Sequence, residues 1–185
     1  MKKAISAGVA VFNMPRYGEE NMDPDFKGEP HVLLVEQYGR TWSIPKGHQE
    51  KDESLIETAI RETEEEVSLS LDDYEIMDGI KVRFQRESKG GPKEMKVIYQ
   101  YMGITTEHQE NIRICTPDKA ITDYKWCTLK QAKKRLHKPD YKALMRLYTL
   151  GIWVYAQAQS VKVHHLKGDL IIERFALPGS KGRET

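Results

Sequence analysis

The sequence predicts an α+β protein, a mixed β-sheet sandwiched between helices. Two observations carry this. Strand-like segments flank one strongly periodic helix and are followed by two further helices, an order that suits helices packed on a sheet. The chain is also long enough, at 185 residues with 39% hydrophobic content, to bury one substantial core.

The elements follow in order. Residues 3–12 read as a strand, since Ile5, Ala7, Val9 and Val11 alternate with smaller residues. The two lysines ahead of this stretch outline a signal peptide. The apolar run is short, however, and no small-x-small cleavage site follows it. Residues 13–30, rich in proline, glycine and acids, read as a long loop. Residues 31–38 form a strand with a continuous apolar run, and 40–47 a short extended piece.

Residues 53–67 are the clearest helix. Leu55, Ile56, Ala59, Ile60, Thr63 and Val67 recur at helical spacing on one side. Strands over 74–87 and 95–105 come next, with a turn over 88–93. Residues 121–129 lead through a strand into a helix over 129–136. "HKPD" (137–140) breaks it, and a longer helix runs over 141–157. Residues 161–175 suggest a hairpin turning at 167–169, and 178–185 a loose tail. The expected organisation is one domain over 1–158, with the hairpin and tail of 159–185 packed on it.

Composition excludes several classes. Charged residues make up 31% of the chain, the content of an ordinary globular protein rather than a disordered one. No apolar run is long enough to span a bilayer, so no membrane partner is expected. A net charge of +1 is no nucleic-acid footprint. Cys115 and Cys127 sit at no metal-ligand spacing and suit reduced thiols in a cytoplasmic protein.

The chemistry concentrates in "GHQEKDESLIETAIRETEEEVSL" (47–69). It holds eight acidic and two basic residues, a formal charge of −6. Glu62, Glu65 and Glu66 share one helix face, on the side away from Leu55, Ala59 and Ile60. Like charges at that spacing repel, and a screening cation explains them. An isolated acidic helix is otherwise a solvated face, with Glu57–Arg61 as an i, i+4 pair. Here "PKG" lies just upstream, with Lys46 as a cation and Gly47 at a tight turn where a carbonyl can approach a metal. Glu53 is placed to pair with Arg61. A donor set made of oxygens favours Mg²⁺ or Mn²⁺, and Mg²⁺ sites leave positions to substrate phosphates.

This stretch resembles the Nudix box, G-x5-E-x7-R-E-U-x-E-E-x-G-U, where U is a bulky apolar residue. Gly47, Glu53, Arg61, Glu62, Glu65, Glu66 and Leu69 match in register. Thr63 stands where an aliphatic residue is usual, and Ser68 where glycine ends the helix in a left-handed cap. The resemblance covers residues 3–150 and implies the Nudix α/β/α sandwich. It also implies hydrolysis of a phosphoanhydride by metal-activated water. Glu62, Glu65 and Glu66 would be catalytic and, with the Gly47 carbonyl, hold the metal. Lys46 would neutralise phosphate, and Glu53 and Arg61 would be structural.

"TWSIPKGHQEKDES" and "DYKW" are similar to segments of the dinucleoside polyphosphate hydrolases within this family. That likeness implies a small-molecule nucleotide substrate such as diadenosine tetraphosphate. Lys46 and His48 would contact polyphosphate, and Tyr99 and Tyr101 are the stacking candidates. An acid often found six residues before the Trp of the later motif is Ala120 here, with Asp118 and Asp123 nearby. Trp42 reads as packing. Lys133, Lys134, Arg135, Lys138 and Lys142 form a basic cluster that reads as a solvated helix face. The competing substrates are an RNA 5′ end, the one case that would bring a nucleic-acid partner, a diphosphoinositol polyphosphate and a nucleoside diphosphate sugar. The competing class is a non-catalytic nucleotide-binding module.

Overall fold

The computed structural model describes residues 3–14, 29–87, 95–105, 112–114, 120–158, 161–166 and 169–174. Its elements are β1 (Lys3–Asn13), β2 (His31–Gln37), β3 (Thr41–Ser43), β4 (Lys46–His48), α1 (Leu55–Val67), β5 (Glu75–Glu87) and β6 (Met95–Thr105). There follow β7 (Ile121–Thr128), α2 (Leu129–Arg135), α3 (Lys138–Ala158), β8 (Val161–Leu166) and β9 (Asp169–Arg174).

Seven strands form one sheet. Its main order is β3-β2-β1-β6-β5, with β4 on β1 and β7 on β2. β1 runs parallel to β6 along its whole length, while every other pairing is antiparallel, so the sheet is mixed as expected. The other edge of β1 is divided. Ser6–Gly8 pair with β4, and Phe12 and Asn13 pair with β2. The two neighbours diverge, and the short strand β4 is left beside the acidic helix.

β1 is apolar on both faces because both faces are covered. Ala7, Val9 and Val11 join Leu33, Val35, Ala59, Val67 and Leu69 in a core beneath α1. Ala10 and Phe12 join Val32, Leu34, Ala132, Leu144 and Leu147 in a second core beneath α2 and α3. The sheet is thus the middle layer of a three-layer sandwich. Trp42 packs on the second core, with the Arg135 guanidinium 5.6 Å above its ring.

Two expectations change. α3 begins at Lys138 rather than 141, because Pro139 falls in its first turn, where a missing N–H breaks no helical bond. The extended piece over 40–47 divides into β3 and β4, which pair with different strands. The expected hairpin is present, as β8 and β9 form a two-stranded sheet. The expected loop over 13–30 lies mostly outside the described residues, as do the turn at 88–93 and the centre of the hairpin turn. No described helix is long and apolar enough to cross a membrane.

Candidate active site

α1 is held at both ends by side chains rather than by propensity. At its start Ser54 and Glu57 form a reciprocal capping box, so Glu57 bonds the Ser54 N–H instead of pairing with Arg61. At its end Ser68 takes the left-handed conformation (φ 59°) usual for glycine, and its hydroxyl donates to the Arg113 carbonyl at 3.1 Å. Thr63 is buried and donates to the Ala59 carbonyl, which satisfies its hydroxyl inside the core.

Arg61 organises the acidic residues. Its Nε donates to Glu53 Oε1 at 2.8 Å, and its Nη1 to Glu62 Oε1 and Glu65 Oε2, both at 2.9 Å. Its Nη2 donates to Glu53 Oε2 and to the His48 carbonyl, both at 3.1 Å. One guanidinium thereby ties the loop, β4 and α1 together, and it is itself the cation that screens Glu62 and Glu65. These bonds to Arg61, with a further one from Thr58, hold the Glu53 carboxyl down at about 2. A carboxyl depressed in the folded state adds stability above its unfolded value of about 4.5 and loses it as pH falls through about 2. In Glu53→Gln the melting temperature is therefore expected to change less over pH 4.5 to 2 than in the wild type. Parallel acid-melting profiles would refute the assignment.

The arrangement needs glycine at position 47. A Cβ built there would fall inside the Glu62 carboxylate, so the helix and β4 approach as closely as they do only without a side chain. Gly8, opposite Lys46 in the register, is constrained likewise by the Pro45 carbonyl and the Lys46 side chain. The Lys46 N–H donates to Glu66 Oε2 at 3.0 Å, and Lys46 Nζ donates to Ser43 Oγ at 2.9 Å.

Glu66 departs from the expected solvent-side position. It follows Thr63 by three and Ala59 by seven, so it lies at the buried edge of α1, 7% exposed. Ile56, expected on the apolar side, is exposed instead. Burial pushes the Glu66 carboxyl up to about 7, against the opposing pull of the Lys46 charge and N–H. Burial also raises Glu62, offset by Arg61, and lowers Lys46, offset by Glu66.

These groups border an open cleft of about 990 Å³. Glu62, Glu65, Glu66 and Gly47 form one side of it; Lys46, His48, Arg86 and Lys96 also line it. Acidic and basic groups therefore face a common space. Tyr99 and Tyr101 are not among its lining residues. Lys96 and Ile98 reach the cleft, and side chains alternate along β6, so the two tyrosines turn to the α1 face. There Tyr101 is buried in the core and Tyr99 packs against it. Strand register decides this, and it was not visible in the sequence.

Tyr38, Arg86 and Lys96 line the cleft and were missed as site candidates. Tyr38 is 68% exposed, with positive φ at a turn where its N–H donates to the Ala120 carbonyl at 2.8 Å. The "YG" pair signals a turn, but nothing local says that the turn borders a cleft. Arg86 sits in a strand whose facing was unknown. Ala120 does reach the cleft, where it brings no carboxylate. Asp123 is exposed, bonds the next N–H and does not line the cleft; Asp118 lies outside the described residues.

The chemistry of the donors suits a hard divalent cation. Three carboxylates stand beside a glycine that no side chain could replace, two of them destabilised as anions by burial. Among the described residues no three donors converge on one ion position as they stand, because Arg61 engages Glu62 and Glu65. Arg61 binds one oxygen of each of these carboxylates, Glu62 Oε1 and Glu65 Oε2.

Comparison with known proteins shows the family. A family model described as the NUDIX domain matches residues 23–148. The pig bis(5′-nucleosyl)-tetraphosphatase (asymmetrical) is 30% identical over 105 residues, 57% of this chain and 67% of that protein. The Caenorhabditis elegans protein of the same description is 27% identical over 108 residues, 58% of this chain and 73% of that one. The crystal structure of a C. elegans Ap4A hydrolase binary complex superposes with a TM-score of 0.64 at 20% identity. It covers 82% of this chain and 98% of that one. A Nudix hydrolase from M. smegmatis gives a TM-score of 0.58 at 17% identity, covering 80% and 86%. These superpositions show the fold.

Proposed function

Since the chain belongs to the Nudix hydrolase family, we propose that it cleaves a phosphoanhydride bond of a dinucleoside polyphosphate such as diadenosine tetraphosphate, with Mg²⁺ or Mn²⁺. One observation carries the reading: a single cleft sets Glu62, Glu65 and Glu66 against Lys46, Arg86 and Lys96. A long phosphate chain needs fixed cations, and its own metal ion needs carboxylates. The relatives named bis(5′-nucleosyl)-tetraphosphatases support the substrate class.

Glu62, Glu65, Glu66 and the Gly47 carbonyl would hold the cation, which when bound acidifies water and neutralises phosphoryl charge. Lys46, with His48 beside it at the cleft, meets the phosphate chain. The oxygen of water bonds to phosphorus, the bridging P–O bond breaks, and the departing phosphate leaves with the electron pair. The proton of that water passes to the carboxylate cluster. Tyr38, exposed at the cleft, offers an aromatic face to a base.

The test is a hydrolysis panel in Mg²⁺ with Glu66→Gln as control. Its substrates are diadenosine tetraphosphate, a 5′-triphosphate RNA, a nucleoside diphosphate sugar and a diphosphoinositol phosphate. Preferential cleavage of diadenosine tetraphosphate, lost in the variant, is expected. Preference for another substrate would overturn the substrate. Binding of nucleotide without turnover of any would favour a binding module.

A further inference from the structure

We propose that Asp140, outside the acidic motif on α3, is a positioning residue that holds the Arg86 guanidinium at the cleft as a contact for the phosphate chain. The proposal rests on the reading of this cleft as a polyphosphate site. Arg86 lies on β5 and Asp140 in the first turn of α3, 54 residues apart in sequence. Arg86 Nη1 donates to Asp140 Oδ2 at 2.7 Å. Arg86 lines the cleft and Asp140 does not.

The form of the pair argues for placement rather than stability. A guanidinium and a carboxylate bind most strongly through two parallel bonds. Here the contact is through one, and Asp140 Oδ1 is buried with no partner among the described residues. Asp140 is 3% exposed, so that unsatisfied oxygen carries a desolvation cost. The single bond uses one of the five N–H donors of Arg86. Asp140 is also the one hydrogen-bond partner of the Arg86 guanidinium among the described residues.

The pair also reaches the catalytic side of the cleft. Lys46 lines the same cleft as Arg86. Lys96, opposite Arg86 in the register, adds a third cation to the same floor. Asp140 thus partly neutralises a concentration of positive charge that would otherwise repel itself in the free protein. It does so from behind, without occupying the cleft.

The test is a double-mutant cycle with Arg86→Gln, Asp140→Asn and both together. KM and kcat are measured with diadenosine tetraphosphate, binding of inorganic tripolyphosphate in Mg²⁺ by calorimetry, and folding by thermal melting. Arg86→Gln is expected to raise KM and weaken tripolyphosphate binding about 10–100-fold, the scale of a lost charged hydrogen bond. Asp140→Asn is expected to shift both about 3–10-fold in the same direction, with kcat within about twofold. The double variant is expected to be no worse than Arg86→Gln alone, because the aspartate acts through the arginine. A fall in melting temperature with unchanged KM and binding in Asp140→Asn would overturn the proposal, as would multiplicative effects in the double variant. Should Asp140→Asn fail to fold, Arg86→Lys decides. It keeps the charge but not the planar fork, and unchanged tripolyphosphate binding there would overturn the proposal too. If diadenosine tetraphosphate is not cleaved but tripolyphosphate binding follows both residues, the substrate reading fails and the positioning role stands.

Discussion

Glu66→Gln is expected to lower kcat at least about a hundredfold while the protein stays folded. Replacing a mere outer-shell partner of a bound metal costs about 10–100-fold in affinity or activity, and Glu66 belongs to the candidate donor set itself. The amide keeps an oxygen for the Lys46 N–H, now at 3.0 Å, so the β4–α1 contact survives. Stability supplies an independent readout. Burial raises the Glu66 carboxyl from 4.5 to about 7, so the protonated form favours the folded state. As pH rises from about 4.5 through about 7, that contribution is lost, because the folded protein must then carry a buried anion. Without metal, Glu66→Gln is expected to melt higher than the wild type at pH 8, and no higher at pH 4.5. Added Mg²⁺ is expected to raise the melting temperature of the wild type and to do little for the variant. Retention of kcat within about threefold, with an intact response to Mg²⁺, would remove Glu66 from the site.

Gly47→Ala is the second large effect, and it acts through space rather than charge. The added methyl would occupy the position of the Glu62 carboxylate. Either β4 moves away from α1 or Glu62 swings out and loses its 2.9 Å bond to Arg61. Each outcome displaces a candidate ligand by more than the ångström that catalytic geometry tolerates. Activity is expected to fall about a hundredfold or more. The loss of stability is expected to be small, on the order of 1 kcal/mol, because both cores lie elsewhere. Turnover within about threefold of the wild type would show that Glu62 need not sit where it does.

The acidic helix was legible because its information is local. The motif's fixed spacing let Glu53 and Arg61 be paired before any coordinates, although Glu53 lies in the loop ahead of α1. The box positions, the neighbouring "PKG" and the order of strands and helices led to the family and the sandwich for the same reason. Periodicity likewise identified β1 as a strand, and it lies within the sheet. Even Ser68 was flagged from the sequence, and the structure answers it: a serine accepts the left-handed cap with its hydroxyl bonded across to Arg113.

What the sequence by itself determined is the chemistry available: carboxylates on one helix, a lysine and a glycine beside them, and a sheet to carry them. What only the tertiary structure decided is which side chains face that chemistry. A strand turns successive residues to opposite faces, so an undetermined register sent Tyr99 and Tyr101 into the α1 core and Lys96 and Ile98 into the cleft. The burial of Glu66 depends on how α1 is rolled against β4, which helical periodicity leaves open by a residue. Arg86 and Asp140 meet across 54 residues because β5 and α3 pack together. No local pattern can report that contact, since it exists only once the layers have closed.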